Sequence, residues 1–521
     1  MEAKKMAAQH AKNAQKTHTG GARKRAQKRR CAAASIIAAA MNPPTDHTPS
    51  TAAAAPAHRP EHRPEHRPDS GFSYSRPFFE ELVDRALAHA KKLGATDAAA
   101  EASEGCGLSV SVRKGELENV ERNRDKSLGV TVYMAHRRGQ ASTSDFSTRA
   151  IEQTVQAAYD IARFTAEDPM AGLPDEADIA PPASHRDLAL FHPWPITSEE
   201  AARLALECEA AALQTSRRIS NSEGASVSAQ QSHFFSAHTR GFRGGYASSR
   251  HSVSVAPIAK LPGKNAEMQR DAWYSSMRDA ARLASPQAIG RYAAERALSR
   301  LGSRKIATTQ CPVLFEATLA AGLLGGFVQA ISGSALYRKS SFLPNSLGKM
   351  IFPLHIDILE DPFVPGGKGS APFDDEGVRV APRKVVKHGR VQGYFLSCYS
   401  ARKLGLQTTG NAGGSHNLTL TSRLTQPGDD LDAMLQKLGT GLFVIELMGQ
   451  GLNPVTGDYS RGASGFWVER GQIAYPVHEI TIAGNLKNML RGIAAVGADA
   501  YNYGAKTVGS ILVERMKVAG S

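Results

Sequence analysis

The sequence predicts an α+β fold in which a mixed N-terminal domain is followed by a β-rich C-terminal domain. Helical spacing of apolar residues and helix-capping signals alternate with strand-like segments as far as residue 302. From residue 303 the pattern changes to apolar strands separated by glycine turns, with few long helices. We therefore expect an α+β domain over residues 77–302 and a β-rich domain over residues 303–521. Within the domains, we expect antiparallel strands that are connected by short turns.

The first 76 residues are predicted to form a disordered extension. They combine a basic tract, an alanine run and three His-Arg-Pro repeats, which offer too little apolar area to offset the entropy lost on ordering. The basic tract is either a tail for nucleic acid or a membrane surface, or an upstream extension preceding a true start at Met41. We favour a start at Met41 over Met1, and a signal peptide is the weakest interpretation because residues 31–41 are mostly alanine.

The net charge of +14 is concentrated in this extension. Residues 1–40 hold ten Lys and Arg against the single acid Glu2, so residues 41–521 carry a net charge of only +5. An excess this small argues against nucleic acid as a partner of the folded body. No stretch of about 18 uncharged apolar residues is present to cross a bilayer, so we expect no membrane partner.

The five cysteines are far apart and form no CxxC pair. They are Cys31, Cys106, Cys208, Cys311 and Cys398. We interpret them as free thiols, because proteins in a reducing compartment rarely rely on disulfides. The sequence thus favours a cytoplasmic location.

The N-terminal domain is predicted to begin with a helix that includes Phe79 to Leu93 and ends at Gly94. Alternating residues then predict an antiparallel meander with strands at 108–112, 117–120, 128–133 and 140–143 and turns at Gly115 and at 138–139. Further helices are predicted at 147–164, at 197–213 with a Thr-x-x-Glu capping box, and from Ser285-Pro286 to Gly302. Strands at 225–236 and 245–255 lie between the last two helices.

The C-terminal domain is predicted to contain a strand at 313–315 and a glycine-containing helix at 317–331. Strands follow at 355–359, 384–392, 418–421, 441–447, 465–469 and 510–513, and residues 458–461 are predicted to form a polar turn.

Four segments rich in glycine or asparagine carry a resemblance to a known family. They are Leu323–Ala330, Thr409–Asn417, Met448–Gly465 and Ile482–Leu486. Together they resemble the TldD/PmbA family, and more narrowly its PmbA (TldE) branch, over residues 78–521. The resemblance implies a two-domain layout and a two-subunit cytoplasmic peptidase, in which the TldD-type chain carries a His-Glu-x-x-x-His helix and a late cysteine that hold a metal.

The same resemblance implies that this chain lacks the metal ligands. Alignment of the Leu-Leu pair before the motif puts Gly325 and Gly326 at the first His and the Glu, and Ala330 at the second His. The late cysteine would fall within 501–504, where no cysteine stands. A hydrolytic zinc site needs typically three protein ligands and a bound water. We therefore expect no catalytic residue and no cofactor in this chain, and zinc in a TldD-type partner.

Three other polar segments suggest weaker sites. His355 and Asp357 lie on one face of a predicted strand, where a solvated face is favoured over a metal site. The loop 365–370 resembles a phosphate cradle but lacks the P-loop spacing, so we interpret it as a flexible surface loop. Residues 374–377 form an acidic turn, for which a structural or groove-lining role is favoured over acid/base chemistry.

The Gly/Asn-rich loop around His416 is the candidate contact with a substrate or partner. Glycine lets the backbone approach a ligand closely, and the candidate residues are Asn411, Gly413, Gly414, His416 and Asn417. The alternative, which we favour for the histidine itself, is that His416 forms hydrogen bonds within its own loop.

Three functional hypotheses follow. The first is a metal-free subunit that pairs with a TldD-type metallopeptidase to cleave unfolded or short peptides, which the resemblance links to peptide-antibiotic maturation and antitoxin degradation. The second is a self-sufficient metallopeptidase with scattered ligands such as His355, Asp357, His388 and His416. The third is a nucleic-acid-associated protein that acts through its basic tail. We favour the first.

Overall fold

The computed structural model describes residues 71–264 and 266–520. The basic tract, the repeats and Met41 therefore lie outside the described residues. Residues 71–76, which were predicted to belong to the disordered extension, are packed. The Phe72 ring lies 4.1 Å from the His233 ring, and the amides of Ser73 and Tyr74 donate to the buried Glu104 at 2.9 and 3.1 Å. The packed chain thus begins at least six residues before the predicted boundary at residue 77.

The described residues confirm a mixed architecture of helices and strands. The helices are α1 (Arg76–Lys92), α2 (Thr148–Phe164), α3 (Ser198–Gln214), α4 (Pro286–Ser299), α5 (Ala317–Ala330), α6 (Gly333–Tyr337), α7 (Cys398–Leu404), α8 (Leu431–Leu438) and α9 (Leu486–Arg491). The strands of the N-terminal part are β1 (Asp97–Arg113), β2 (Glu116–Met134), β3 (Arg137–Thr143), β4 (Ile219–His238), β5 (Arg243–Gly244), β6 (Ala247–Lys260), β7 (Met268–Arg270) and β8 (Trp273–Met277). Those of the C-terminal part are β9 (Thr309–Phe315), β10 (Ile356–Asp361), β11 (Arg383–Lys387), β12 (Arg390–Val391), β13 (Asn417–Ser422), β14 (Gly441–Met448), β15 (Asp458–Glu469), β16 (Gln472–Asn485), β17 (Ile493–Val496), β18 (Tyr501–Tyr503), β19 (Lys506–Val508) and β20 (Ile511–Ala519).

The N-terminal part is built on one antiparallel sheet in the order β3-β2-β1-β4-β6-β7, with β5 paired to β4 and β8 to β6. Side chains alternate across a strand, so every second residue of β1 and β4 faces the same side. One side packs against the helices, α1 and α2 over half of the sheet and α3 and α4 over the other half. Small residues such as Ala98 and Ala100 are buried on that side.

The opposite side of this sheet is polar and half-exposed, and we call it the polar face. It carries Glu101, Ser103 and Ser109 of β1, Ser226, Ser228, Gln230 and Ser236 of β4, and Ser248, Arg250, Ser252 and Ser254 of β6. Serine hydroxyls bond across neighbouring strands, for example Ser226 to Ser254 at 2.8 Å. No helix of the N-terminal part covers this face within the described residues. The polar face is therefore available to line a binding site.

The C-terminal part contains two sheets. The first has the order β16-β15-β14-β9-β20-β17, and a further pairing of β16 with β20 closes five of its strands into a ring. The second has the order β12-β11-β10-β13-β19-β18. Leu323, Leu324 and Phe327 of α5 belong to the core that is shared by both sheets.

A buried ion network joins the two parts. Arg296 of α4 is 3% exposed and its guanidinium lies 2.5 Å from Glu316, which precedes α5, and 3.2 Å from Asp271. Arg300, one turn later, pairs with Asp271 and with Glu446 of β14. The guanidinium of Arg296 also lies 5.2 Å from the Trp273 ring. The junction between the two parts is therefore a packed, charged interface.

The structure corrects four local expectations. The separate strands predicted at 117–120 and 128–133 are one continuous strand, β2, because β1 pairs with it along nearly its whole length. The turn between β2 and β3 lies at 135–136, whereas the predicted turn at 138–139 is inside β3. Residues 458–461 begin strand β15 and do not form a turn. The loop 365–370 is not a free surface loop, because Gly369 donates to Asn417 at 2.8 Å and the carbonyls of Gly367 and Lys368 accept from Arg278.

Candidate functional site

A cavity of about 460 Å³ lies where the polar face meets loops of the C-terminal part, and we call it the junction cavity. Its floor is formed by Ala99, Thr131 and Ser236 of the sheet. Its walls come from residues 165–174 and from Asp375, Glu376 and Tyr399. Clefts between domains that contain a few convergent polar groups are common ligand sites.

Two carboxyl groups near this cavity have perturbed acidities. The side chain of Glu101 is exposed on the polar face, yet partial desolvation by its surroundings raises its pKa, and the charge of Asp375 raises it further. Desolvation likewise raises the pKa of Asp375, while His416 lowers it. Carboxyl groups with raised pKa values in a cleft are typical of functional sites, although structural clusters produce them too.

His238 presents an unused donor to the same cavity. It is 6% exposed, and its Nδ1 accepts from the Arg240 amide at 3.2 Å, which places the proton on Nε2. Among the described residues, Nε2 has no hydrogen-bond partner. Burial lowers the pKa of His238 to about 4, so the ring is neutral at pH 7. Sequence reasoning missed this residue, because a single histidine at the end of a strand carries no recognisable signal.

The acidic turn is fixed by its first residue. Asp374 accepts from the amides of Glu376 and Val378 at 2.9 Å and from Ala412 at 3.0 Å. Burial raises the pKa of Asp374 to about 7. Glu376 accepts from the Cys398 amide at the start of α7, at 2.7 Å. Asp374 thus holds the turn, and Asp375 and Glu376 line the junction cavity.

The Asn411–Asn417 loop lies directly against this turn. Asn411 donates to Glu360 at 2.8 Å, His416 Nε2 bonds to the Gly410 carbonyl at 3.0 Å, and Asn417 donates to the Asp361 carbonyl at 2.8 Å. These three side chains are buried and hold the loop in place. Gly413 and Gly414 are exposed, and a Cβ at Gly413 would lie 2.3 Å from the carboxylate of Asp375. Contact of the loop with a substrate or partner stays a prediction.

The positions aligned with the metal ligands lie on α5. Gly325 is half-buried and Ala330 is buried, and a Cβ at Gly326 would lie 2.6 Å from Leu486 Cδ2. The hairpin of β18 and β19 packs against this helix and contributes Lys506, whose Cε is 3.8 Å from the Cβ position of Gly325. Burial lowers the pKa of Lys506. The structure thus brings α5 and residues 501–504 together.

The residues of the alternative metal site have other partners. His355 bonds to Ser422 Oγ at 2.8 Å and to the Ile493 carbonyl at 3.1 Å, and Asp357 accepts from Lys384 at 3.1 Å and from the His388 amide at 2.6 Å. The part of the chain that the structure describes contains no group of three or more His, Cys, Asp or Glu side chains placed to hold a metal ion. No helix in residues 71–264 and 266–520 is long and apolar enough to cross a membrane.

Three comparisons with known proteins agree on the family. Models of the PmbA/TldA metallopeptidase match residues 98–162 (domain 1), 191–301 (central domain) and 308–520 (C-terminal domain). The first two matches share the large antiparallel sheet. The predicted division between residues 302 and 303 falls between the second and third matches.

Curated relatives and solved structures extend this likeness over most of the chain. The chain is 48% identical over 446 residues to the metalloprotease PmbA of Escherichia coli O157:H7, which covers 85% of this chain and 97% of the relative. It is 45% identical over 415 residues to a PmbA homologue of Haemophilus influenzae, which covers 80% and 90%.

A candidate modulator of DNA gyrase from Bacteroides thetaiotaomicron superposes with a TM-score of 0.79 at 25% identity, over 85% of this chain and 99% of that one. TldE from Thermococcus kodakarensis gives a TM-score of 0.71 over 84% and 99%, and its 18% identity shows a shared fold alone. On these matches, the chain belongs to the PmbA/TldD metallopeptidase family.

Proposed function

We propose that this chain is the metal-free subunit of a cytoplasmic two-chain peptidase and that it pairs with a TldD-type chain, which holds the zinc. The observation that carries the proposal is the chemistry of α5. Gly325, Gly326 and Ala330 offer no donor atom, Leu486 crowds Gly326, and the cation of Lys506 stands beside Gly325. A divalent metal ion is repelled by a neighbouring ammonium group, and no ligand is present here to offset that repulsion. The residues around α5 do not fit a zinc ion, so the hydrolytic step itself belongs to the partner chain.

The chain's own contribution is to bind and present the substrate. The polar face with its junction cavity provides a half-exposed surface of hydroxyl and carboxylate groups that suits the polar backbone of an extended peptide. In addition, within the described residues, 116–127 of β2 pair with β1 on one side only, because β3 pairs with residues 128–134. An unpaired edge of this kind binds extended peptides by strand addition, which reads the backbone rather than the sequence.

The proposed substrates are therefore unfolded or short peptides with little sequence in common. Precursors of modified peptide antibiotics and small antitoxins, to which the family resemblance points, fit this class because both are short chains. The alternative of a self-sufficient peptidase would need at least three ligands that converge. The described residues, which include His355, Asp357, His388 and His416, contain no such group.

The test is to measure zinc content and peptide cleavage for the full chain alone, for a TldD-type chain alone and for their mixture. We expect zinc and cleavage to require the TldD-type chain, and cleavage to rise at least about tenfold when this chain is added. A complex of defined stoichiometry should appear by light scattering.

Stoichiometric zinc in the full chain alone, together with chelator-sensitive cleavage, would overturn the proposal. The matched control is the mixture with a TldD-type chain whose metal-binding histidine is replaced by alanine. It should form the complex and cleave nothing.

A further inference from the structure

Three cations meet near the middle of the polar face, level with Gly107 of β1 and away from the junction cavity along the strands. Arg250 lies on β6, Arg278 directly follows β8, and Lys368 lies in the loop 365–370. The guanidinium groups of Arg250 and Arg278 both donate to the carbonyl of Lys368, at 3.4 and 3.2 Å. The ammonium of Lys368 lies 3.4 Å from the Asn502 carbonyl. We call these three residues the basic cluster.

The basic cluster has no acidic partner. Among residues 71–264 and 266–520, no Asp or Glu oxygen lies within 4.0 Å of these three cations. Their protein contacts are carbonyl oxygens, including those of Gly367 and Ser249. Carbonyl dipoles orient the side chains but do not neutralise three positive charges. Arg296 on α4, by contrast, is matched by two carboxylates.

The arrangement is costly without a counter-charge. The register of β6 and β8 pairs His251 with Met277, so Arg250 and Arg278 occupy the next opposed positions. Like charges opposed across neighbouring strands destabilise a sheet. Burial, with the charge of Arg250, lowers the pKa of Lys368 to about 8 and that of Arg278 to about 10. All three side chains are half-exposed, so a solute can reach them.

We propose that Arg250, Arg278 and Lys368 bind a carboxylate group of the peptide substrate. Guanidinium groups match a carboxylate with two parallel hydrogen bonds, and lysine adds a mobile point charge. The carboxylate is either the C-terminal group of a peptide or an Asp or Glu side chain, and peptides that carry only one of the two distinguish them. The inference rests on the proposed function, because it assumes that the polar face receives peptides.

The basic cluster and the acidic end of the polar face give the bound peptide a direction. Gly107 of β1 pairs with Gln230, and Gln230 pairs with Arg250. Glu101 lies six residues before Gly107, or about 20 Å along the strand. Tyr246 lies between the basic cluster and Glu101. Burial and the charges of Asp375 and Glu101 raise its pKa, whereas the charge of Arg278 lowers it. An extended peptide of about six residues spans this distance with its ammonium at Glu101 and Asp375.

The experiment is titration calorimetry of the full chain with three peptides of eight residues, each acetylated at the N-terminus and with uncharged side chains except where stated. The first has a free C-terminal carboxylate, the second is amidated, and the third is amidated and contains one Glu. We expect the wild-type chain to bind the first or the third peptide at least about tenfold more tightly than the second, and the difference to shrink with added salt. The first peptide reports a C-terminal carboxylate, and the third reports a side chain.

The variants Arg250→Gln and Lys368→Gln should each lower the affinity for the preferred carboxylate peptide about tenfold. The affinity for the amidated, uncharged peptide should not change. Arg291→Gln is the matched control, since Arg291 is exposed on α4 and its loss removes one charge elsewhere. Because Arg278 also holds the loop 365–370, it is tested as Arg278→Lys. Circular dichroism melting of each variant checks that the chain is folded.

Equal affinity of the wild-type chain for all three peptides, or no measurable binding of either carboxylate peptide, would overturn the inference. So would variants that weaken the binding of all peptides alike. In the mixture with a TldD-type chain, Arg250→Gln should raise KM for the carboxylate peptide with kcat unchanged. A mixture without activity would contradict the proposed function, whereas the binding to this chain alone would still decide the inference.

Discussion

At the scale of the residue, His238 illustrates how burial sets chemistry. Its ring stacks on Phe242 at 5.6 Å between centroids and lines the junction cavity, with Nε2 unpaired in the described part of the chain. A buried polar atom without a partner costs about 1–3 kcal/mol. A donor kept at that cost is suited to bind a carbonyl or carboxylate oxygen of a ligand.

The lowered pKa of His238 should make the free energy of unfolding depend on pH. Its pKa falls from 6.5 to about 4 on folding, mainly because burial disfavours the charged ring. A lowered folded pKa means that the neutral ring contributes stability fully above pH 6.5, and that this contribution is lost as the pH falls from 6.5 to 4, by about 3 kcal/mol. His238→Asn should therefore lose less stability than the wild type over that interval, measured by urea unfolding at several pH values.

The control for this prediction is Gln214→Ala, which replaces an exposed, uncharged residue at the end of α3. Its curve should keep the shape of the wild-type curve. Parallel curves for His238→Asn and the wild type would contradict the assignment.

Predictability from sequence also varies from residue to residue. The sequence indicated that the loop 411–417 and the acidic turn belong near a site, and the structure places them in contact. The sequence favoured hydrogen bonds of His416 within its own loop, and its Nε2 bonds to the Gly410 carbonyl. It did not indicate that Asn411 holds the loop, because its partner Glu360 lies more than fifty residues away. His238 and the basic cluster were missed for the same reason, since only the sheet register brings their parts together.

At the scale of the element, two adjacent glycines of α5 differ in the space around them. A Cβ at Gly325 meets only Lys506 Cε at 3.8 Å, an ordinary contact, whereas a Cβ at Gly326 lies 2.6 Å from Leu486 Cδ2. Gly325→Ala should stabilise the chain by about 0.5–1 kcal/mol through helix propensity. Gly326→Ala should destabilise it by about 1–2 kcal/mol, because the buried Leu486 must move. Urea unfolding of both variants measures the difference, and equal effects would show that α5 packs differently.

Elements with local signals were predicted well. Thr197 and Ser285 cap α3 and α4 as expected, and the capping box of Thr197 with Glu200 is formed. Ser147, the predicted first residue of α2, is its N-cap. The first half of β1 was missed, because the run Ala98–Ala102 consists of residues with little strand propensity. Its strand conformation depends on pairing with β2 and β4, which lie far along the chain.

Strands β16 to β19 were not predicted either. Pro476 interrupts the alternation of β16, and a proline within a run argues against a strand. Strands β17, β18 and β19 have only four, three and three residues, which is too short for a recognisable period. These strands form because longer neighbours such as β15 and β20 offer them hydrogen-bond partners.

At the scale of the whole molecule, the network around Arg296 holds the two parts together. Arg296→Met would leave the buried carboxylate of Glu316 without its counter-charge and Asp271 with Arg300 alone. Removing one partner of a buried ion pair costs about 3–5 kcal/mol. We expect a loss of that size in urea unfolding followed by circular dichroism.

Arg291→Met on the same helix is the matched control. Arg291 is exposed, so its replacement should change the free energy of unfolding by no more than about 0.5 kcal/mol. A similarly small effect for Arg296→Met would mean that the network does not join the two parts.

The closed ring of the C-terminal part has a consequence for how the protein is made. Its central strand β9 pairs with β20, so Cys311 and Met516 are neighbours although about two hundred residues separate them. During synthesis β9 leaves the ribosome about two hundred residues before β20. The ring can therefore close only after β20 has been translated, and until then β9 lacks one of its two partner strands, which makes closure of this ring a slow, non-local step of folding.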